Sequence, residues 1–171
     1  ITSQEAKLNA QGATLSSEYF GYAVALSGDI ALVGAYGEEA GGYESGSAYV
    51  FVRNGTKWSK QSKLTALGAA AGDRFGYAVA LSGDTALVGA YGDDAGSGSA
   101  HVFTRVDTSW VWQTKLTAAD ADWNDWFGYA VALSGRGDLS KSCADAVGPD
   151  GGQGCRACWT HPNLRINYTT H

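Results

Sequence analysis

Phe20-Gly21-Tyr22-Ala23-Val24-Ala25-Leu26-Ser27-Gly28 occurs again, letter for letter, at Phe75 to Gly83 and at Phe127 to Gly135. The unit that carries it is 55 residues long the first time and 52 the second, just above the range in which internal repeats build propellers and other stacked arrays. Read as an extended strand, Phe20, Tyr22, Val24 and Leu26 fall on one face and Gly21, Ala23 and Ala25 on the other. Both faces are apolar, one large and one small. Such a strand belongs in a sheet covered on both sides, where the small face lets a neighbour approach closely.

The rest of the unit supplies three more strands. Ser27-Gly28-Asp29 offers turn residues, and Ile30 to Tyr36 follows at once as a second buried strand. The loop Gly37 to Gly46 leads to Ser47-Ala-Tyr-Val-Phe-Val-Arg53, and Asn54-Gly55 is a strong hairpin signal. Lys57 to Thr65 closes the unit, its lysines suiting an exposed edge. In the second copy the strands are Thr85 to Tyr91, Ser99 to Arg105 and Ser109 to Thr117, and the loop Gly92 to Gly98 is three residues shorter, which accounts for the change of period. Upstream, Lys7-Leu8-Asn9-Ala10 matches Lys63-Leu64-Thr65-Ala66 and Lys115-Leu116-Thr117-Ala118, so the chain is expected to open in the outer strand of a preceding unit. The fold predicted is all-β: four-stranded antiparallel β-propeller blades, about two and a half of them, a partial propeller.

Phe20-Gly21, followed by Gly34-Ala35 in the second strand, resembles the FG-GAP repeat, the blade of integrin α-subunit propellers and of many secreted proteins. The likeness is to the tandem bacterial and algal type with Ala-Leu-Ser-Gly-Asp and Ala-Leu-Val-Gly-Ala, and it covers about residues 7 to 135. It implies a propeller used outside the cell or at its surface for binding or adhesion. Two departures stand out. The proline of the family name is Tyr36 and Tyr91 here. The Asp-rich Ca²⁺ loop of integrin-type repeats is reduced to Ser27-Gly28-Asp29 and Ser82-Gly83-Asp84, and one carboxylate cannot assemble the about six to eight oxygens that Ca²⁺ takes. Glu38-Glu39 and Asp93-Asp94 in the next loop read as solvated acids. No cofactor is therefore expected in the blades.

The domain pattern that follows is 1–19 for the end of a preceding blade and a linker, 20–74 for the first blade and 75–126 for the second. Residues 127–138 start a third blade, and 139–171 form a non-repeat, Cys-containing tail. After Gly135 the repeat breaks off into Arg136-Gly137-Asp138-Leu139, and no strand-length apolar run follows, so the tail is not expected to finish a blade. It reads as an appendage, a disordered end or the product of a shifted reading frame.

Two tail motifs invite a function. Arg136, Gly137 and Asp138 form the tripeptide that integrins read in their ligands, although a glycine-rich chain throws up such tripeptides by chance. Cys143, Cys155, Cys158 and His161 make a set that zinc could take tetrahedrally, against which stand the odd cysteine count and the competing readings of a disulfide or idle thiols. Asn54-Gly55-Thr56 and Asn167-Tyr168-Thr169 are glycosylation sequons, a pattern also common by chance.

Composition narrows the classes. With 44% hydrophobic and 17% charged residues the chain is expected to fold. Its net charge of -5, without a basic run, makes nucleic acid an unfavourable partner, and no apolar run reaches the roughly 20 residues of a bilayer span. The sequence starts at Ile1 and has no Met, which reads as a processed product or a fragment. No catalytic constellation is visible, and His101, at the place of Tyr49 in the other copy, reads as an alternating strand residue. The function expected is a non-catalytic extracellular or surface binding or adhesion module, with a protein or carbohydrate ligand. Self-association or further blades would close the ring. The alternatives are an accessory propeller of a secreted hydrolase, which flanking sequence would reveal, and a lectin-like oligomer, which solution mass would reveal.

Overall fold

A computed structural model of the chain describes residues 6–10, 18–134, 141–145, 156–160 and 165–167. The first sheet runs in chain order through β1 (Val24–Ser27), β2 (Ile30–Ala35), β3 (Ser47–Asn54) and β4 (Lys57–Leu64), each antiparallel to the next. The second repeats it with β5 (Ala78–Ser82), β6 (Thr85–Ala90), β7 (Ser99–Val106) and β8 (Ser109–Leu116). In both, the register of the last pair slips by one residue at the same place, between Val50 and Phe51 and between Val102 and Phe103. Such a bulge adds twist to the outer edge of a blade. Gly55 takes φ +62° in the turn between β3 and β4, as the Asn-Gly pair predicts. The loop between β6 and β7 holds a single helical turn, α1 (Asp93–Gly96), in which Asp94 and Ala95 are left-handed.

Alternation assigns each blade two apolar faces with different neighbours. Ile30, Leu32, Val50, Leu64 and Ala66 of the first blade meet Phe75, Leu81, Ala86, Val88 and Phe103 of the second in one core. The opposite face of the second blade, with Leu87, Val102 and Leu116, packs on Phe127, Val131 and Leu133. On the remaining face of the first blade Val33, Tyr49 and Phe51 are buried with Leu8, Ala10 and Phe20, while Val24 and Leu26 of β1 stay exposed. Leu8 and Ala10 occupy the role that Leu64 and Ala66 play one interface later, in agreement with the sequence match at Lys7 to Ala10.

Two expectations need correction. The inner strand does not begin at the repeated Phe: it begins four residues after Phe20 and three after Phe75 and Phe127, at Val24, Ala78 and Ala130. Gly21, Gly76 and Gly128 take φ +87°, +91° and +85°, and the residue before each Phe is left-handed as well: Tyr19, Arg74 and Trp126. The Phe-Gly pair is a turn that aims the ring into the blade interface, and Phe75 is fully buried there.

The second correction concerns the tail. β9 (Ala130–Ser134) pairs with β10 (Lys141–Asp145), which pairs with β11 (Arg156–Thr160) and then β12 (Arg165–Asn167), a third four-stranded sheet. Backbone pairing needs only one extended segment beside another, so the lost side-chain alternation did not forbid it.

The same geometry explains the glycine of the second strand. A Cβ on Gly34 would lie 2.0 Å from the carbonyl oxygen of Gly76, and one on Gly89 would lie 1.9 Å from that of Gly128. Each Phe-Gly turn therefore rests against the Gly-Ala stretch of the preceding blade. The contact is sealed by the Phe75 N–H donating to the Ser45 carbonyl at 3.0 Å, and by Phe127 donating to Ser97 at 3.0 Å. The two halves of the repeated motif touch within a blade, where Gly21 donates to the Gly34 carbonyl at 2.9 Å and Gly76 to that of Gly89 at 3.0 Å, and again across the blade boundary.

Candidate functional site

Tyr22, Tyr77 and Tyr129 stand at the third position of each Phe-Gly-Tyr, just before the inner strand, while Tyr36 and Tyr91 follow the end of the second strand. Antiparallel pairing puts both positions at the same end of the blade. Their rings form one continuous ladder. Tyr22 and Tyr77 are 4.8 Å apart between centroids and Tyr77 and Tyr129 4.9 Å, each pair tilted by 41°. Tyr36 meets Tyr22 and Tyr77 edge to face at 4.8 and 5.2 Å, and Tyr91 meets Tyr77 and Tyr129 at 4.5 and 5.3 Å. Tyr19 stacks on Tyr36 at one end and Trp126 on Tyr129 at the other.

Hydroxyls run through the ladder: Tyr22 donates to Tyr77 at 2.9 Å, and Tyr77 to Tyr129 at 3.0 Å. Burial and then the bonds to Tyr129 and Tyr22 push the Tyr77 phenol well above its usual range. Arg74 forms the polar rim, pairing with Glu44 at 3.0 Å, lying 5.2 Å from the centre of the Tyr91 ring and donating to its hydroxyl. The outcome is a half-exposed aromatic surface with a charged border.

A second cluster lies inside the blades. In the first, Glu38 accepts from Tyr49 at 2.6 Å and from Lys63. In the second, Asp93 accepts from Ser99 and pairs with Lys115 at 2.7 Å, with His101 in the place of Tyr49. Ser99, His101 and Asp93 are the residue types of a hydrolytic triad, yet the protons run the wrong way. The Trp112 indole can only donate, and it donates to His101 Nδ1 at 3.3 Å. The neutral ring then carries its proton on Nε2, which faces Ser99 Oγ at 3.2 Å, so His101 cannot take the serine proton. Burial lowers the His101 pKa to about 4, against the opposing pull of Asp93. With Ser99 and His101 both sealed from solvent, the cluster is a structural plug.

The reading of Glu38 and Asp93 as solvated loop acids is thereby corrected: a lysine from the fourth strand of the blade folds back to neutralise each. Glu39 and Asp94 are exposed. The turns before the second strand do not fit Ca²⁺, since Asp29 faces Arg53 at 2.8 Å and Asp84 faces Arg105 at 3.7 Å, one carboxylate to each turn. Among the described residues no three His, Cys, Asp or Glu side chains gather as metal ligands. Arg136, Gly137, Asp138, Cys155 and His161 lie outside the described residues. Cys143 and Cys158 are opposite one another in the β10–β11 register. Asn54 ends β3 at the exposed hairpin, and Asn167 ends β12.

The ladder escaped the sequence reading, which assigned Tyr22 to a strand face. Its signal was present: an aromatic at the third position of all three motifs, and another directly after both Gly-Ala pairs.

A family model described as the FG-GAP repeat matches residues 2–51, 58–103 and 110–139, more than half of the chain. A search of curated proteins finds no match. The matched segments are out of phase with the sheets: the second runs from β4 of one blade to β7 of the next, across the boundary where the Phe-Gly turn meets the Gly-Ala strand.

Proposed function

The chain belongs to the FG-GAP repeat family, and from that premise we propose that it is a non-catalytic binding or adhesion module working outside the cell or at its surface. The observation that carries this reading is the aromatic ladder. Three blades contribute to one half-exposed surface of rings and hydroxyls with an Arg74–Glu44 border, and amphipathic aromatics that are already held in place bind with little loss of side-chain entropy. Among the described residues, the Ser99–His101–Asp93 constellation with catalytic residue types has its serine and histidine sealed and its protons in the wrong places, which supports a non-catalytic role. Among the described residues no helix is long and apolar enough to cross a membrane.

The test is retention of cells and of arrayed glycans on the immobilised chain, compared with a Tyr22→Ala, Tyr36→Ala double variant. Binding by the chain and at least a tenfold loss in the variant, with unchanged circular dichroism, is the outcome expected. Equal binding by both, or none by either, would remove the ladder as the ligand surface.

A further inference from the structure

Tyr22, Tyr77 and Tyr129 have a geometry that ligand binding does not require. At each of the two steps the phenol hydroxyls are in hydrogen-bond contact, 2.9 and 3.0 Å, and the rings are neither parallel nor perpendicular but tilted by 41° at under 5 Å between centroids. Removing one electron and the hydroxyl proton from a phenol leaves a radical whose spin resides partly on the ring carbons flanking the oxygen. When two such rings join through those carbons, the product holds its hydroxyls side by side on either side of the new bond, with the rings twisted. The three tyrosines already stand in that relation.

We propose that Tyr77 is a site of oxidative dityrosine coupling, to Tyr22 first and to Tyr129 second, stapling adjacent blades within one chain. In each coupling two tyrosines give up two electrons and two protons, and a carbon–carbon bond forms between their Cε atoms. The two ring hydrogens then shift, as protons, to the oxygens as the rings regain aromaticity, so both hydroxyls are restored and the net loss is two hydrogens. Hydrogen peroxide acting through a peroxidase is the oxidant: it accepts the two electrons and two protons and leaves as water.

Access and selectivity follow from the same surroundings. Tyr22 is 53% exposed at the open end of the row, so an external oxidant reaches it first, and the hydroxyl contact gives the radical a path to Tyr77. Tyr36 and Tyr91 are equally close to Tyr77 but meet it edge to face, at 61° and 72°, and the Tyr91 hydroxyl is engaged by Arg74. Tyr43, at 68% exposure, is the residue that exposure alone would select. The proposal is independent of any ligand for the ladder.

The experiment treats the dilute full chain with a peroxidase and hydrogen peroxide, follows dityrosine fluorescence and maps cross-linked peptides by mass spectrometry. Expected is an intrachain peptide pair joining the Tyr22 and Tyr77 segments, lighter than their sum by two hydrogens, with a weaker Tyr77–Tyr129 pair. Tyr77→Phe should abolish intrachain fluorescence and Tyr36→Phe should retain it. No dityrosine, or coupling found only at Tyr43, at Tyr19 or between chains, overturns the proposal. The peptide map of the unsubstituted chain decides the matter even if Tyr77→Phe fails to fold.

Discussion

At the scale of single residues, the two blades differ most where Tyr49 of one is His101 of the other. Both rings fill the same place under the repeated phenylalanine: Phe20 packs edge to face on Tyr49 at 5.5 Å, and Phe75 on His101 at 5.3 Å. Tyr49 is neutral at all physiological pH, its phenol raised by burial and by the bond to Glu38, whereas a buried histidine makes the second blade acid-sensitive. The folded-state pKa of about 4 lies below the roughly 6.5 of an unfolded chain. The unfolded state therefore binds the proton first, so stability is fully present above pH ~6.5 and is lost as pH falls toward ~4, by on the order of 3 kcal/mol in all. Asp73, raised by burial, acts in the opposite sense and offsets part of this loss at the acid end of that window. Urea denaturation at pH 7 and pH 4.5 should show the loss, and His101→Tyr, which copies the first blade, should flatten it. A midpoint that does not move in the original chain would show that His101 is hydrated.

At the scale of elements, what was legible was whatever depends on alternation and turn chemistry. The four strands of each blade follow from side-chain period and the Asn54-Gly55 hairpin from turn chemistry, and these are present, while the covering of both faces is complete for the second blade and not for the first. What was not legible depends on backbone at a distance. The Phe-Gly turn reads as two more strand residues because glycine fits either conformation. Only the neighbouring blade, which brings its Gly-Ala stretch against that turn, shows why Gly34 and Gly89 carry no side chain. The lysine–acid plugs were hidden for a similar reason, since Lys63 and Lys115 reach back across a loop to Glu38 and Asp93. Gly89→Ala isolates this contact. Its methyl would overlap the Gly128 carbonyl, a backbone atom that moves only with the Phe127 turn, and overpacking of this kind costs about 1 to 3 kcal/mol or more. Chemical denaturation should show a drop of that size, whereas Gly55→Ala, in an open hairpin turn with nothing near its Cβ, would reveal only the cost of a positive φ.

At the scale of the whole molecule, repetition exposes its own unfinished edge. Val24 and Leu26 are 65% and 69% exposed, while Leu81, the counterpart of Leu26 in a letter-identical strand, is 9% exposed because the first blade covers it. The difference is that, among the described residues, no second blade lies against Val24 and Leu26. What fits on Val24 and Leu26 is a surface like the face of Leu32, Val50 and Leu64 that covers the second blade, and stacked units of this kind need several members before their ends are a small share of the whole. The isolated 171-residue chain should therefore self-associate through that face. Light scattering after size exclusion should give a mass above the 17.8 kDa of one chain. Placing charge at the edge, with Val24→Lys and Leu26→Lys together, should return the chain toward monomer without touching the interface between the two blades, where neither residue takes part. A monomer that unfolds in one cooperative transition before those substitutions are made would mean that Leu8, Ala10 and the half-buried Phe20 already cap the first blade well enough to stand alone.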